Sequence, residues 1–119
     1  MIRILVVDDD ESIREIVRIM LKDFEVIEAS NGLEGIKLYE KIKPDIVLMD
    51  INMPIMDGVE ATKQILNEDP NAIIIGLTAF ARSRGKELLE AGAKGIIEKP
   101  FTRKSIKELI EPFIAKTIL

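Results

Sequence analysis

The stretch Ile46-Val47-Leu48-Met49-Asp50-Ile51-Asn52-Met53-Pro54 sets four apolar residues in a row, ends them in a carboxylate and closes on a proline turn. So short an unbroken apolar run, after Asp45 and before Pro54, reads as a strand buried on both faces, the habit of a central strand in a parallel sheet. Asp50 then stands at the strand's carboxyl end. In open α/β sheets, ligands bind in the crevice outside those ends, above all where strand order reverses, so an acid there is a candidate for chemistry. A turn-forming or helix-capping role is the competing reading of any single Asp, and the choice depends on what else converges on it.

Upstream, Ile4-Leu5-Val6-Val7 is a second all-apolar strand, and it runs into Asp8-Asp9-Asp10. Ile13, Ile16, Val17, Met20 and Leu21 then recur on one helical face, with Asp10 or Glu11 favourable at its amino end. Val26 and Ile27 lie between Glu25 and Glu28, a shorter and more polar strand suited to a sheet edge. Ser30 or Asn31 can cap the next helix, which carries Leu33, Ile36, Leu38 and Ile42 up to Lys43-Pro44.

Downstream, the loop 51–56 leads to Asp57, an N-cap for a helix bearing Val59, Thr62, Ile65 and Leu66. Asp69-Pro70-Asn71 ends that unit. The strand 73–77 leads into Thr78-Ala79-Phe80-Ala81, a short helix spans 83–91 with a stop at Gly92, and a last strand covers 95–98. Thr102 caps a final helix with Ile106, Leu109, Ile110, Phe113 and Ile114 on one face and Pro112 inside it, where the missing bond to Glu108 predicts a kink.

Five strands alternating with five helices predict an α/β fold, a doubly wound five-stranded parallel sheet with helices on both faces. With the polar second strand at one edge and the last strand at the other, the order is 2-1-3-4-5, the flavodoxin-like arrangement, whose switch point lies between strands 1 and 3. That order sets Asp8, Asp9 and Asp50 side by side.

The 119 residues suit one domain spanning 1–119, and 47% hydrophobic with 32% charged residues is an ordinary globular composition. A net charge of -4 argues against direct nucleic-acid binding. The absence of His and Cys excludes imidazole acid/base work, thiol catalysis and His- or Cys-ligated zinc for this chain. No apolar run approaches a membrane span of ~20 residues and no signal-peptide pattern opens the chain, so a cytoplasmic location is expected.

Three carboxylates in one crevice repel, by roughly 4 kcal/mol per pair at ~4 Å and an effective dielectric near 20. A divalent cation removes that penalty, and oxygen-only ligands on open loops favour Mg²⁺. The alternative is that Asp8 to Asp10 only complement the first helix's amino end. Thr78 and Lys99 also follow apolar strands at carboxyl ends. Singly, one is a turn residue and the other a solvated cation; together they add a hydroxyl and an ammonium to the carboxylates. Lys99-Pro100 is a candidate for a cis peptide bond. Mg²⁺, hydroxyl and lysine in one pocket suit a phosphoryl group, and a carboxylate is the nucleophile that remains, as in aspartyl-phosphate chemistry.

The segments Val6-Val7-Asp8-Asp9, Leu48 to Pro54 with Met56-Asp57-Gly58, Leu77-Thr78-Ala79 and Lys99-Pro100-Phe101 together resemble the receiver domain of two-component response regulators, of the stand-alone chemotaxis or phosphorelay type. The resemblance implies that Asp50 accepts a phosphoryl group from a sensor histidine kinase or histidine phosphotransfer protein, and that the domain catalyses both this acceptance and the later loss. It implies Mg²⁺ on Asp9, Asp50 and the Asn52 carbonyl, with Asp8 orienting its waters, and phosphoryl oxygens gripped by Thr78 and Lys99. A downstream protein target and a monomeric or weakly dimeric state complete the expectation.

Two positions depart from the family pattern. Ile96 stands where an aromatic switch residue is frequent, and Phe80 where small or polar residues are common. The loop around Thr78 and Phe80, with Ile96 and Pro100 nearby, is therefore the expected switch region. The rival readings are a non-phosphorylated pseudo-receiver that only docks partners, a flavodoxin-like FMN carrier without its phosphate loop, and a haloacid-dehalogenase-type phosphatase, which needs a second Asp where Asn52 stands.

Overall fold

In the computed structural model, which describes residues 1–79 and 81–118, strands and helices alternate along the whole chain: β1 (Arg3–Val7), α1 (Glu11–Met20), β2 (Glu25–Ala29), α2 (Gly32–Ile42), β3 (Ile46–Met49), α3 (Gly58–Glu68), β4 (Ile74–Thr78), α4 (Ala81–Glu90), β5 (Gly95–Glu98) and α5 (Arg103–Ile118). All strand pairs are parallel and the order is β2-β1-β3-β4-β5, as the sequence predicts. Every residue of β3 and β4 is buried, which is why both are written as apolar runs; β2 lies at an edge and is only partly covered.

The pleat sends alternate residues of each strand to opposite faces. Ile4, Val6, Ile46, Leu48, Ile75 and Leu77 pack with Val17 of α1, Leu21 at its C-cap, and Ile106 and Ile110 of α5. On the other face, Leu5, Val7, Val47, Met49 and Ile74 pack with Ile36 and Tyr39 of α2, Val59 and Ile65 of α3 and Leu88 of α4. Two helices thus cover one face and three the other.

Local chemistry sets the helix starts. Asp10, Asn31 and Asp57 are N-caps, their side chains accepting from the N–H groups of Ser12, Glu34 and Glu60. Thr102 Oγ1 accepts from the Ser105 N–H at the start of α5, which continues through Pro112.

Three expectations shift. Helix α4 starts at Ala81 rather than 83, because its polar sequence carries too weak an apolar period to mark its first turn. Ile16 is 41% exposed and Leu33 39% exposed, although both were expected on buried helical faces. The stripe that α1 and its C-cap present to the sheet is made of Ile13, Val17, Met20 and Leu21, and Ile16 lies outside it.

Candidate functional site

The site lies where the carboxyl ends of β1, β3, β4 and β5 meet. The last registered pair of β1 and β3 is Val7 with Met49, so Asp8 and Asp50 follow as neighbours in the sheet. The Asp8 N–H donates to the Ala29 carbonyl at 3.0 Å and the Asp50 N–H to the Val7 carbonyl at 2.9 Å, so both residues are held by strand geometry rather than by a free loop. Carboxylate oxygens of Asp8, Asp9 and Asp50 lie within 4.8 Å of one another. Asp8 and Asp50 are buried and Asp9 is exposed at the rim.

Asp8 has a partner on each oxygen. The Asp10 N–H donates to Oδ1 at 2.9 Å and Lys99 Nζ to Oδ2 at 2.7 Å. The capping alternative for the acidic triplet therefore falls on Asp10 alone, which caps α1, while Asp8 and Asp9 turn to Asp50. Lys99 Nζ is also 3.5 Å from Asp50 Oδ2, and the Ile51 N–H donates to Asp50 Oδ1 at 2.9 Å.

Burial, reinforced by the Asp8 charge, pushes the Asp50 carboxyl from 3.8 up to about 6, against the opposing pull of Lys99 and the Ile51 N–H. A carboxylate crowded in this way gains from any cation added beside it. The donor set fits Mg²⁺: hard oxygen atoms only, partly open to solvent, with more negative charge than the one nearby ammonium offsets.

Thr78 is the last residue of β4, fully buried and paired in register with Glu98. Its carbonyl accepts from the Lys99 N–H at 2.9 Å, which ties the ends of β4 and β5 together. Lys99-Pro100 is cis. Ile96, opposite Gly76 on β5, is half-buried and lines a hollow of about 450 Å³ with Pro100, Ser105 and Leu109. Phe80 lies outside the described residues.

Close packing behind Asp50 depends on Gly58, whose N–H donates to the Ile51 carbonyl at 2.8 Å. A Cβ at position 58 would stand 1.8 Å from the Asp50 carbonyl oxygen, so only glycine lets α3 start directly beneath the site. Sequence reading passed over Arg84. Its Nη1 donates to Asn52 Oδ1 at 2.6 Å, its Nη2 to Asp57 Oδ2 at 3.2 Å and its Nε to Glu87 Oε2 at 2.8 Å. Partial burial pushes the Asp57 carboxyl up, but the Glu60 N–H and the Arg84 guanidinium outweigh it and hold the group below its usual range.

The family model described as the response regulator receiver domain matches residues 4–111. The chain belongs to that family. Receiver domains similar to it include the chemotaxis protein CheY of Listeria monocytogenes, 43% identical over 115 residues that cover 93% of this chain and 97% of the relative. CheY of Halobacterium salinarum is 42% identical, covering 91% of this chain and 92% of that one. Among solved structures, the response regulator TrrA of Thermotoga maritima in complex with Mg²⁺-BeF matches with a TM-score of 0.87 at 35% identity, over 95% of this chain and 99% of that one. A CheY-like receiver domain from Methanospirillum hungatei gives a TM-score of 0.91 at 29% identity, over 98% and 95%. This receiver is thus a phosphorylation-regulated switch of two-component signalling, and none of its described helices is long and apolar enough to cross a membrane.

Proposed function

We propose that this receiver takes a phosphoryl group onto Asp50 from the phosphohistidine of a sensor histidine kinase or histidine phosphotransfer protein, in the cytoplasm, and signals to a protein target as a stand-alone chemotaxis-type regulator. The observation that carries this reading is the convergence of Asp8, Asp9 and Asp50 within 4.8 Å, with Lys99 Nζ 2.7 Å from Asp8 and 3.5 Å from Asp50.

In the transfer, an Asp50 carboxylate oxygen attacks phosphorus, a P–O bond forms, and the P–N bond to the donor imidazole breaks. The leaving imidazole keeps the electron pair. Lys99 Nζ, 3.5 Å from Asp50 Oδ2, is assigned to an oxygen of the transferred group, whose charge its ammonium neutralises. The Thr78 hydroxyl, at the neighbouring strand end, is assigned to a second phosphoryl oxygen. The Ile51 N–H orients the nucleophile by holding its other oxygen. Mg²⁺ would be held by Asp9, Asp50 and Asn52, with Asp8 on its waters, and would supply charge neutralisation and alignment of the phosphoryl oxygens. Attack of water on phosphorus later breaks the P–O bond to Asp50, releasing inorganic phosphate and returning Asp50 to a carboxylate. The domain is thus the catalyst of its own modification, with no external substrate to turn over.

The test is incubation with acetyl phosphate and Mg²⁺, followed by intact mass or a phosphate-affinity gel, since the chain has no Trp to report by fluorescence. One phosphoryl group per chain is expected on the wild type and none on Asp50→Ala. Equal labelling of the two proteins rules the assignment out.

A further inference from the structure

Helix α4 packs on the sheet through one large apolar side chain among those described. Among its described side chains Leu88 is the one fully buried anchor and Leu89 is 47% exposed. The β3–α3 loop beside it is the opposite case. It is closed by the Gly58 N–H on the Ile51 carbonyl at 2.8 Å, by the Met56 N–H on the Pro54 carbonyl at 2.8 Å and by the Gly32 N–H on the Met56 carbonyl at 3.1 Å. Arg84 joins the two. From the first half of α4 its guanidinium reaches Asn52, two residues after Asp50, and Asp57, the N-cap of α3, while Glu87 on its own helix holds Nε. Its side chain is only 26% exposed, so the fork is partly shielded from water, and its contacts span 32 and 27 residues of sequence.

We propose that Arg84 is a positioning residue that carries the state of Asp50 across to helix α4. A closed loop tied to the helix by two donors of one guanidinium, whose third donor is held by Glu87 on the helix itself, moves that helix when the loop moves, and planar guanidinium geometry makes the tie directional where a lysine would not. The sequence Asp50-Ile51-Asn52 is the input arm, because a group bound on Asp50 acts directly on Ile51, whose N–H holds Asp50 Oδ1, and on Asn52 next to it. Chain continuity from Thr78 offers α4 a second route, and the two routes separate by mutation. The proposal rests on the phosphoacceptor reading of Asp50.

The experiment is ¹H–¹⁵N NMR of the full chain titrated with Mg²⁺ and beryllofluoride. In the wild type, shifts are expected at 8–10, 50–53, 78–79 and 98–100 and throughout α4. Arg84→Ala is expected to keep the shifts at the first four segments and to lose about half or more of those in α4. Asp57→Asn is the second variant: asparagine still caps α3 through its side-chain oxygen but gives up the ion pair. It is expected to reduce the α4 shifts in the same sense, and it decides the matter if Arg84→Ala does not fold. Unchanged α4 shifts beside normal site shifts overturn the proposal, as do site shifts that vanish together with those of α4. A wild type with no shifts around Asp50 overturns the phosphoacceptor reading instead, so the two failures are distinct.

Discussion

Replacing Asp50 with asparagine should make the metal-free protein more stable at neutral pH. The substitution keeps size and removes the charge that the site holds under protest. In the unfolded chain the carboxyl loses its proton near 3.8; in the folded protein it keeps it to about 6. Between those values the folded state binds more protons, so stability is fully present below 3.8 and is lost as pH rises through about 6. Each pH unit of that gap corresponds to about 1.4 kcal/mol. Asp50 retains some solvent contact and the Lys99 partner, so a net gain of about 1–3 kcal/mol is the scale for Asp50→Asn at pH 7. At about 4 °C per kcal/mol for a chain of this size, Tm should rise by roughly 4–12 °C. The assay is thermal or urea unfolding of both proteins in chelator at pH 4 and pH 7. The gain should be large at pH 7, vanish near pH 4, and shrink at pH 7 when Mg²⁺ is added, since the ion favours the wild type alone. A variant less stable than wild type at pH 7, or a difference indifferent to pH, refutes the reasoning.

Other expectations follow from single contacts. Lys99→Ala leaves Asp8 buried without its 2.7 Å partner and removes the one cation that lowers Asp50, so it should cost about 3 kcal/mol in urea unfolding and raise the Asp50 titration seen by carboxyl ¹³C NMR. Gly58→Ala drives a Cβ against the Asp50 carbonyl and should cost about 3 kcal/mol while weakening Mg²⁺ binding measured by chemical shift. Thr62→Val removes a buried hydroxyl oxygen that has no hydrogen-bond partner and keeps its shape, so urea unfolding should show a gain of about 1 kcal/mol.

Strands and their order were legible because central strands buried on both faces must be apolar throughout, and because the polar β2 could only stand at an edge. The carboxylates were legible for the same reason: Asp8 and Asp50 break off those apolar runs at the crevice. The cap at Asp57 was legible by residue type, whereas residue type left Ser30 beside Asn31 and Glu11 beside Asp10, and the structure selects Asn31 and Asp10. What stayed hidden depends on distant partners. Arg84 looked like one more surface cation in a polar helix, since its acceptors lie far away in sequence. Ile55 adopts a φ of 72° and is 77% exposed, a conformation a β-branched residue gives no cause to expect. Thr62 was read as part of an apolar face, which is true of its position and silent about its hydroxyl.

The central claim, that Asp50 is the phosphoacceptor, is tested most directly by mapping the modified atom. After acetyl phosphate and Mg²⁺, borohydride reduces an acyl phosphate to an alcohol, so a phosphorylated aspartate becomes homoserine and survives digestion for peptide sequencing by mass spectrometry. The account predicts homoserine at position 50 alone, dependent on Mg²⁺. Homoserine at Asp8, Asp9 or Asp57, or at no position in a protein that folds and receives the donor, contradicts it.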